Sequence, residues 1–263
     1  MTPTSVGSGT RRRLLLRALR LVADVAKTVV GMSGMRLDRL RAVHGAPWLG
    51  LWLASLAGYV ALFDPWDLWA SIRADREVAI GYVVVAFLVY YGGLVGLLGL
   101  SGNRVLIRGL GPRRSSRLFE TGLGMAFAHQ ALAVGAVCFA DAGSLRIGVP
   151  VWLTSAVGAA LAGLGFGVKI WSTRILGLDG YYYRDMFLAA RARGGKAELV
   201  SHGPYRWVDN PMYGVGNLAA YGAALMHRSL AGLVVAAVAQ ACIYAFYFRY
   251  ELPFVRRAHE PAT

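Results

Sequence analysis

The chain has 263 residues, of which 56% are hydrophobic and 16% are charged, and its formal net charge is +14. Soluble domains of this size typically carry about 25% charged residues, so the composition argues against an ordinary soluble domain. Two cysteines are too few for a disulfide framework and do not form a metal site alone, so no bound metal is predicted.

Residues 1–46 are predicted to be a basic N-terminal segment, since they hold nine Lys or Arg residues against two Asp. Apolar residues recur at helical spacing in 11–30 with arginines on the other faces, which predicts an amphipathic helix lying in the membrane interface. Arg17, Arg20 and Asp24 interrupt the apolar run, and no small-residue cleavage site closes it, so a signal peptide is disfavoured.

Long apolar stretches then follow, and about 20 apolar residues are enough to cross a bilayer core of roughly 30 Å. The candidate spans are 47–63, 78–100, 119–140, 149–171, 212–227 and 229–248. These stretches predict an all-α fold, a polytopic membrane helix bundle of about six spans and at least four. Many of the glycines lie inside the spans, where small residues let helix backbones approach closely.

The positive charge is concentrated in the segments that join the spans on one side. With six spans, the arginine-rich segments 1–46, 101–118, 172–211 and the C-terminal tail all fall on that side. The positive-inside rule predicts that this side is cytoplasmic, with both termini inside. Basic residues beside a membrane attract anionic lipid. Because the charge brackets spans in this way, anionic lipid is the predicted partner and nucleic acid is not.

The character of the chain changes near residue 150. Residues 47–148 are predicted to be N-terminal transmembrane helices, in which His129 and Gln130 are almost the only polar residues inside the apolar runs. Residues 149–263 contain the long polar segment 172–211, rich in Tyr, Arg, Asp and His. Segments of this length without a function of their own are uncommon, so the chemistry is expected there.

Two turn signals stand in this part of the chain. His202-Gly203-Pro204 predicts a turn, and Asn210-Pro211 predicts the start of the next span, with Asn as the cap and Pro at the first helical position. The free N–H groups of such a helix end favour an anion.

The string from 196 to 214 resembles the signature of isoprenylcysteine carboxyl methyltransferases. The part Asp209-Asn210-Pro211-Met212-Tyr213 is more similar to phosphatidylethanolamine N-methyltransferases. Further similarities are Gly163-Leu164-Gly165 to that family's Gly-x-Gly motif, 177–187 to its glycine-rich segment, and 250–254 to its Glu-Glu-Pro-Phe, with Tyr250 in place of one glutamate. The resemblance covers about 150–257, and the spans at 78–140 have no counterpart.

This resemblance implies a site for S-adenosyl-L-methionine and for a membrane phospholipid. It assigns cofactor binding to these residues: Gly163, Leu164, Gly165, Glu198, Leu199, Val200, Tyr205, Asn210, Pro211, Met212, Tyr213, Tyr250 and Glu251. Lipid binding is expected at Tyr183, Gly216 and Ala220, in a lateral gap between the spans near 163–171 and 212–221. An alkylammonium must lose a proton before it accepts a methyl group, and Asp185, Glu251 and His202 are the candidate proton acceptors, in that order.

The expected activity is methylation of phosphatidylethanolamine, either alone or together with its partly methylated forms, in the core at 149–263. A second interpretation keeps the cofactor and changes the acceptor to a carboxylate, a thiol or a small amine. Further alternatives are an NADPH-dependent reductase of sterol-like substrates and a non-enzymatic scaffold or transporter. The last is disfavoured because transport paths usually place ionisable residues inside the spans.

Overall fold

The computed structural model describes residues 7–34, 45–63, 75–188 and 200–259, and no β-strand occurs within these ranges. The α-helices are α1 (Gly7–Met32), α2 (Gly45–Phe63), α3 (Arg76–Leu94), α4 (Asn103–Leu110), α5 (Pro112–Ala140), α6 (Val151–Tyr181), α7 (Arg184–Leu188), α8 (Leu218–Met226), α9 (Leu230–Phe246) and α10 (Leu252–His259). Short π-helical segments follow α3 and α9, at Val95–Gly99 and Tyr247–Glu251, and 3-10 turns occur at Gly203–Arg206 and Val215–Asn217.

In the part of the chain that the structure describes, four helical stretches are long and apolar enough to cross a membrane. They are Arg76–Gly99, Pro112–Ala140, Val151–Leu188 and Leu230–Arg257. The other two predicted spans are shorter apolar helices, Leu49–Leu62 and Val215–Met226. The predicted all-α bundle is therefore confirmed, with four candidate spans, and the count of six stays a prediction.

Helix α1 forms where the amphipathic pattern predicted a helix. Its apolar side chains are largely exposed, with Leu15 at 62% and Val22 at 65% of their full accessibility, as expected for a helix that meets lipid. Its C-terminal end docks on the end of α6, where Tyr182 donates a hydrogen bond to the Gly31 carbonyl (2.5 Å) and accepts one from the Gly34 N–H (2.9 Å). The location of α1 in a membrane interface remains a prediction.

Helices α6 and α8 run antiparallel in close contact, because glycines face each other across the interface. A Cβ built on Gly222 would lie 2.5 Å from the Gly158 carbonyl oxygen, and one on Gly158 would lie 2.6 Å from the Gly222 carbonyl oxygen. The same close contact occurs at Gly165 of α6. A Cβ on Gly165 would collide with the backbone nitrogen of Ala219, which lies one turn before Gly222 in α8. Backbones this close leave room for no side chain larger than hydrogen, which agrees with the predicted role of glycine in the spans.

Asp141 holds the end of the bundle at which α5, α6, α8 and α9 connect. Its carboxylate accepts hydrogen bonds from Ser144 Oγ (2.6 Å), Ser229 Oγ (2.9 Å) and the Ala231 N–H (2.8 Å). The Arg76 guanidinium lies 3.2 Å away. Burial alone raises the pKa of Asp141, but these hydrogen bonds and the positive charge outweigh burial and lower its pKa below the usual range.

The contact at Gly165 supplies the first prediction. Gly165→Ala should lower the free energy of unfolding by about 1–3 kcal/mol, because the added methyl group forces α6 and α8 apart. Gly163→Ala on the same helix is the matched control, since a Cβ there meets nothing within 4 Å. Thermal unfolding of the two variants in detergent measures the difference, and equal midpoints would contradict the packing described above.

Asp141 supplies the second prediction. Asp141→Asn should destabilise the protein by about 1–3 kcal/mol, because hydrogen bonds to a charged acceptor are lost or weakened. Since the folded-state pKa is lowered, this stabilisation is present above the unfolded pKa of about 3.9 and disappears as the pH falls through the lower folded value. The wild type should therefore lose stability in that acid range, relative to pH 7, more steeply than the variant. Asp179→Asn, at an exposed ion pair with Arg184, should have a much smaller effect.

Candidate functional site

A cavity lies at the end of the bundle opposite Asp141. Its walls come from α3, α5, α6, the turn before α8, and the end of α9. Six tyrosines line it: Tyr90, Tyr91, Tyr181, Tyr182, Tyr183 and Tyr213. The other polar lining side chains are Gln130, Lys169, Asn217 and Glu251. An aromatic cavity with a few converging polar groups is the usual form of a small-molecule site.

The kinked end of α6 places the Tyr181–Tyr183 cluster in this cavity. Gly177 has a φ of 77°, in the left-handed region that glycine adopts readily, and it bends the helix one turn before the tyrosines. Phe187 in α7 anchors the segment after them, since its ring stacks on Phe119 at 4.4 Å and its carbonyl accepts a hydrogen bond from Asn103 (2.6 Å). Tyrosines held inside the protein in this way are not lipid-facing belt residues.

Tyr183 has a strained backbone. Its φ of 52° lies in the left-handed region, where a residue with a bulky side chain is rarely found. Such strain persists only when the surroundings enforce it, and it is commonest at functional sites. Here the strained residue directs its hydroxyl group to the hydroxyl of Tyr213.

Tyr213 links the cluster to the carboxylate of Glu251. Its hydroxyl donates a hydrogen bond to Glu251 Oε2 (2.7 Å) and also lies against the Tyr183 hydroxyl. Its own backbone N–H donates to the Asn210 side chain (3.3 Å), which fixes the turn before α8. A continuous hydrogen-bonded chain therefore runs from α6 through this turn to the end of α9.

The structure brings together some of the predicted site residues. Glu251, Tyr213, Met212 and Tyr183 all line the cavity. Gly216 is buried beside it, and a Cβ there would lie 3.4 Å from Lys169 Cε. Residues predicted from separate stretches of sequence for cofactor and for lipid thus meet at one site.

Of the three candidate proton acceptors, the structure places only one in the cavity. Glu251 lies in the cavity, whereas Asp185 on α7 and His202 before the 3-10 turn are exposed, and neither lines it. The one-turn helix α7 buries Phe187 and consequently presents Asp185 to the outside.

The glycine motif on α6 does not line the cavity. Gly165 packs against Ala219, and its neighbour Gly163 is exposed with open space on its side. Leu164 is 52% exposed. At the level of Gly165 the two helices therefore leave no gap between them, and Ala220 packs against the buried cluster around Ala133 and Val137.

The turn at Asn210 also differs from the predicted helix start. Asn210 does cap a turn, but residues 211–214 form turns, Val215–Asn217 is a 3-10 segment, and α8 begins only at Leu218. The prediction that Pro211 occupies the first helical position is therefore wrong. Pro211 is fully buried, and its carbonyl accepts the Gly216 N–H (2.8 Å), so these groups form a compact wall of the cavity.

Tyr205 lies at the edge of this region. Burial, and after it the negative charge of Glu251, raise the pKa of Tyr205. Ser172 is close enough to lower that pKa slightly, yet the geometry between the two hydroxyls falls short of a hydrogen bond. Both oxygens are buried without a hydrogen-bond partner among the described residues, and such groups commonly mark a place where a ligand binds.

The remaining predicted cofactor residues are placed as follows. Val200 is half-buried, and Tyr250 packs on Gly99 in the π-helical segment after α3. Glu198 and Leu199 lie outside the described residues.

The sequence analysis missed the part of the cavity that comes from the N-terminal helices. Tyr91 on α3 donates to the Ala239 carbonyl (2.8 Å) and accepts from Gln130 on α5 (2.7 Å), and both side chains line the cavity. Lys169 was missed as well, although it is a lone cation in an apolar stretch. A Gln or Lys inside an apolar span was the available signal.

The fold and this cavity define an all-helical protein with four helices able to span a membrane and a polar site near one end of them. Residues 153–262 match the phospholipid methyltransferase family model. The resemblance predicted from the motifs is thereby confirmed for this part of the chain. Helices α3 and α5, which complete the cavity, lie outside the match.

Curated proteins that are similar to this chain are phosphatidylethanolamine N-methyltransferases. The phosphatidylethanolamine N-methyltransferase of Sordaria macrospora is 26% identical over 121 residues, which are 46% of this chain and 12% of the relative. Enzymes of that name from Chaetomium globosum and Malassezia globosa are 28% and 34% identical over 105 and 96 residues. The chain thus spans about a tenth of the length of these relatives, with 11% and 10% of the last two covered. No solved structure matches the chain significantly.

Proposed function

We propose that the chain transfers a methyl group from S-adenosyl-L-methionine to the amine of phosphatidylethanolamine at the cytoplasmic membrane interface. The observation that carries this proposal is the Tyr183–Tyr213–Glu251 chain inside one cavity, formed by residues within the family match. The curated relatives named phosphatidylethanolamine N-methyltransferase favour this acceptor over a carboxylate or thiol.

The residues present fit the proposed cofactor. The lining combines aromatic faces with a few charged and polar side chains, which is the usual composition of a small-molecule site. Tyrosine faces attract cations such as a sulfonium by roughly 0.5–2 kcal/mol. The buried hydroxyls of Tyr205 and Ser172, at the edge of this region, offer partners for the amino and ribose groups. When bound, the cofactor would supply an electrophilic methyl group on a positively charged sulfur.

Glu251 is the proposed proton acceptor. The substrate amine must lose a proton to expose its lone pair, since alkylammonium groups resemble lysine, with a pKa of about 10.4. Tyr213 donates to Oε2 of Glu251, which leaves Oε1 to receive that proton. The hydrogen bond also fixes the orientation of the carboxylate, and orientation of this kind can supply several kcal/mol of the barrier reduction. The freed lone pair would then be available to accept the methyl group that the bound cofactor supplies.

The distribution of charge supports the cytoplasmic assignment of the cavity end. Arg104 and Arg108 on α4 and Arg113, Arg114 and Arg117 on α5 lie toward this end, whereas Asp75, Glu77 and Asp141 lie toward the other. The positive-inside rule therefore favours a cytoplasmic cavity mouth and cytoplasmic termini. The cytosolic cofactor and the lipid headgroup then meet at the same level of the membrane.

The purified protein in mixed micelles should convert phosphatidylethanolamine and labelled S-adenosyl-L-methionine into methylated phospholipid, detected by mass spectrometry. The number of methyl groups in the product decides whether partly methylated forms are also accepted. A protein that methylates water-soluble ethanolamine phosphate as efficiently as the lipid would instead be a small-amine methyltransferase. Binding of S-adenosylhomocysteine without any acceptor activity on amines would direct the search to carboxylates and thiols.

The role of Glu251 supplies the third prediction. Glu251→Gln should lower kcat by about 10²–10⁴-fold, because the amide accepts no proton although it can still accept the Tyr213 hydrogen bond. Asp185→Asn and His202→Gln are matched controls, since they neutralise or replace the two exposed candidates, and their kcat should stay close to wild type. A larger loss in Asp185→Asn than in Glu251→Gln would assign the proton transfer to Asp185 instead.

A further inference from the structure

Lys169 occupies an unusual position for a charged residue. It lies on α6 about two helical turns before the kink at Gly177, within an apolar span, and its side chain lines the cavity. The ammonium nitrogen is 4.6 Å from the centre of the Phe127 ring. The aliphatic part of the side chain rests beside Gly216, where an added Cβ would lie 3.4 Å from Lys169 Cε.

A cation placed inside an apolar span requires compensation, since removing an ammonium from water costs several kcal/mol. Ion pairs within the described residues involve Arg76, Arg174 and Arg184, and none of them involves Lys169. The carboxylate of the same cavity, Glu251, is hydrogen-bonded to Tyr213. The face of Phe127 offsets only about 1–2 kcal/mol of the cost. Ionisable residues that remain in a span at this cost usually serve a function.

The two amide side chains of the cavity wall already donate hydrogen bonds within the protein. Gln130 donates to the Tyr91 hydroxyl (2.7 Å), and Asn217 donates to the Ala236 carbonyl (3.2 Å). The ammonium of Lys169 is therefore the strongest donor that the described cavity wall offers to a ligand. One cavity thus presents a cation and a carboxylate, which is the arrangement that receives a zwitterion.

We propose that Lys169 binds the phosphodiester of the acceptor phospholipid, while Glu251 receives the amine at the other end of the same headgroup. This inference rests on the proposed function and adds the group that recognises the phosphate. Charge-assisted hydrogen bonds from an ammonium to phosphate oxygens are among the stronger contacts in proteins. We take the lipid phosphodiester as the anion because Lys169 lies within the apolar span, on the membrane side of the α6 kink.

The test compares Lys169→Met with wild type in mixed micelles. Methionine retains the length of the side chain and removes its charge. The KM for phosphatidylethanolamine should rise roughly tenfold or more, with a smaller change in kcat, because an ionic hydrogen bond to the substrate is lost. Affinity for S-adenosylhomocysteine should stay close to wild type, and Lys169→Arg should restore most of the lipid affinity. Arg174→Met is the control, since it removes one positive charge from the same helix outside the cavity.

A second acceptor isolates the phosphate. In a diacylglycerol with its aminoethyl group on an uncharged ether linkage, the phosphodiester is missing, so wild type and Lys169→Met should have similar KM values for it. If the KM for phosphatidylethanolamine is unchanged in Lys169→Met, Lys169 does not bind the phosphodiester. If the variant instead binds S-adenosylhomocysteine tenfold more weakly and the lipid normally, Lys169 binds the cofactor carboxylate and the proposal is wrong.

Direct lipid binding separates this proposal from the proposed function. Equilibrium binding of radiolabelled phosphatidylethanolamine can be measured without any turnover. If wild type binds the lipid, Lys169→Met binds it roughly tenfold more weakly, and neither methylates it, the phosphodiester site stands and the methyltransferase assignment fails. If both methylate the lipid and bind it equally well, the assignment stands and the role of Lys169 fails.

Discussion

The close antiparallel contact between α6 and α8 is the constraint on which the rest of the molecule depends. Gly158, Gly165 and Gly222 bring the two backbones to a separation at which side chains are excluded. This contact fixes the short helix α8 even though it has only nine residues. The turn before α8 is fixed with it. In that turn, Tyr213 contacts Glu251 on one side. On the other side, Gly216 packs against Lys169. The geometry of the cavity therefore depends on a close helix interface built from glycines.

The cavity is a joint product of both halves of the chain. Residues 153–262 carry the family match, yet Tyr90 and Tyr91 on α3 and Phe127 and Gln130 on α5 form the opposite wall. Gln130 and Tyr91 are connected in turn to α9 through the Ala239 carbonyl. Without α3 and α5, the polar groups around Glu251 would face lipid, where unsatisfied polar groups are costly. The additional helices thus supply the enclosure that the site needs.

Much of the architecture was predictable from the sequence, because span length and apolar content are local properties. The four long helices overlap their predicted ranges, but α6 continues to Tyr181, inside the segment 172–211 that was predicted to be a polar segment between spans. Glu251 and Tyr213 were predictable from the motifs around them, and both reach the cavity. Asp185 was ranked above Glu251, since a motif identifies a residue without the direction of its side chain. The one-turn helix α7 turns Asp185 outward when it buries Phe187. Lys169 belongs to no motif, and only the placement of Phe127 and Gly216 beside it reveals its position.

The π-helical segment Tyr247–Glu251 directs the side chain of Glu251 into the cavity. It does so because its turn contains one residue more than a regular α-helical turn. Its widened turn is closed by the hydrogen bond from the Leu252 N–H to the Tyr247 carbonyl. Such bulges arise when a single residue is inserted into an α-helix, and they are frequent at functional sites. Loss of one residue from this segment would restore a regular helix and rotate everything beyond it by about 100°. Composition, hydropathy and helix content would barely change, while the carboxylate would leave the cavity. Chain length in this segment is therefore under a stricter geometric requirement than the chemical identity of most residues in it.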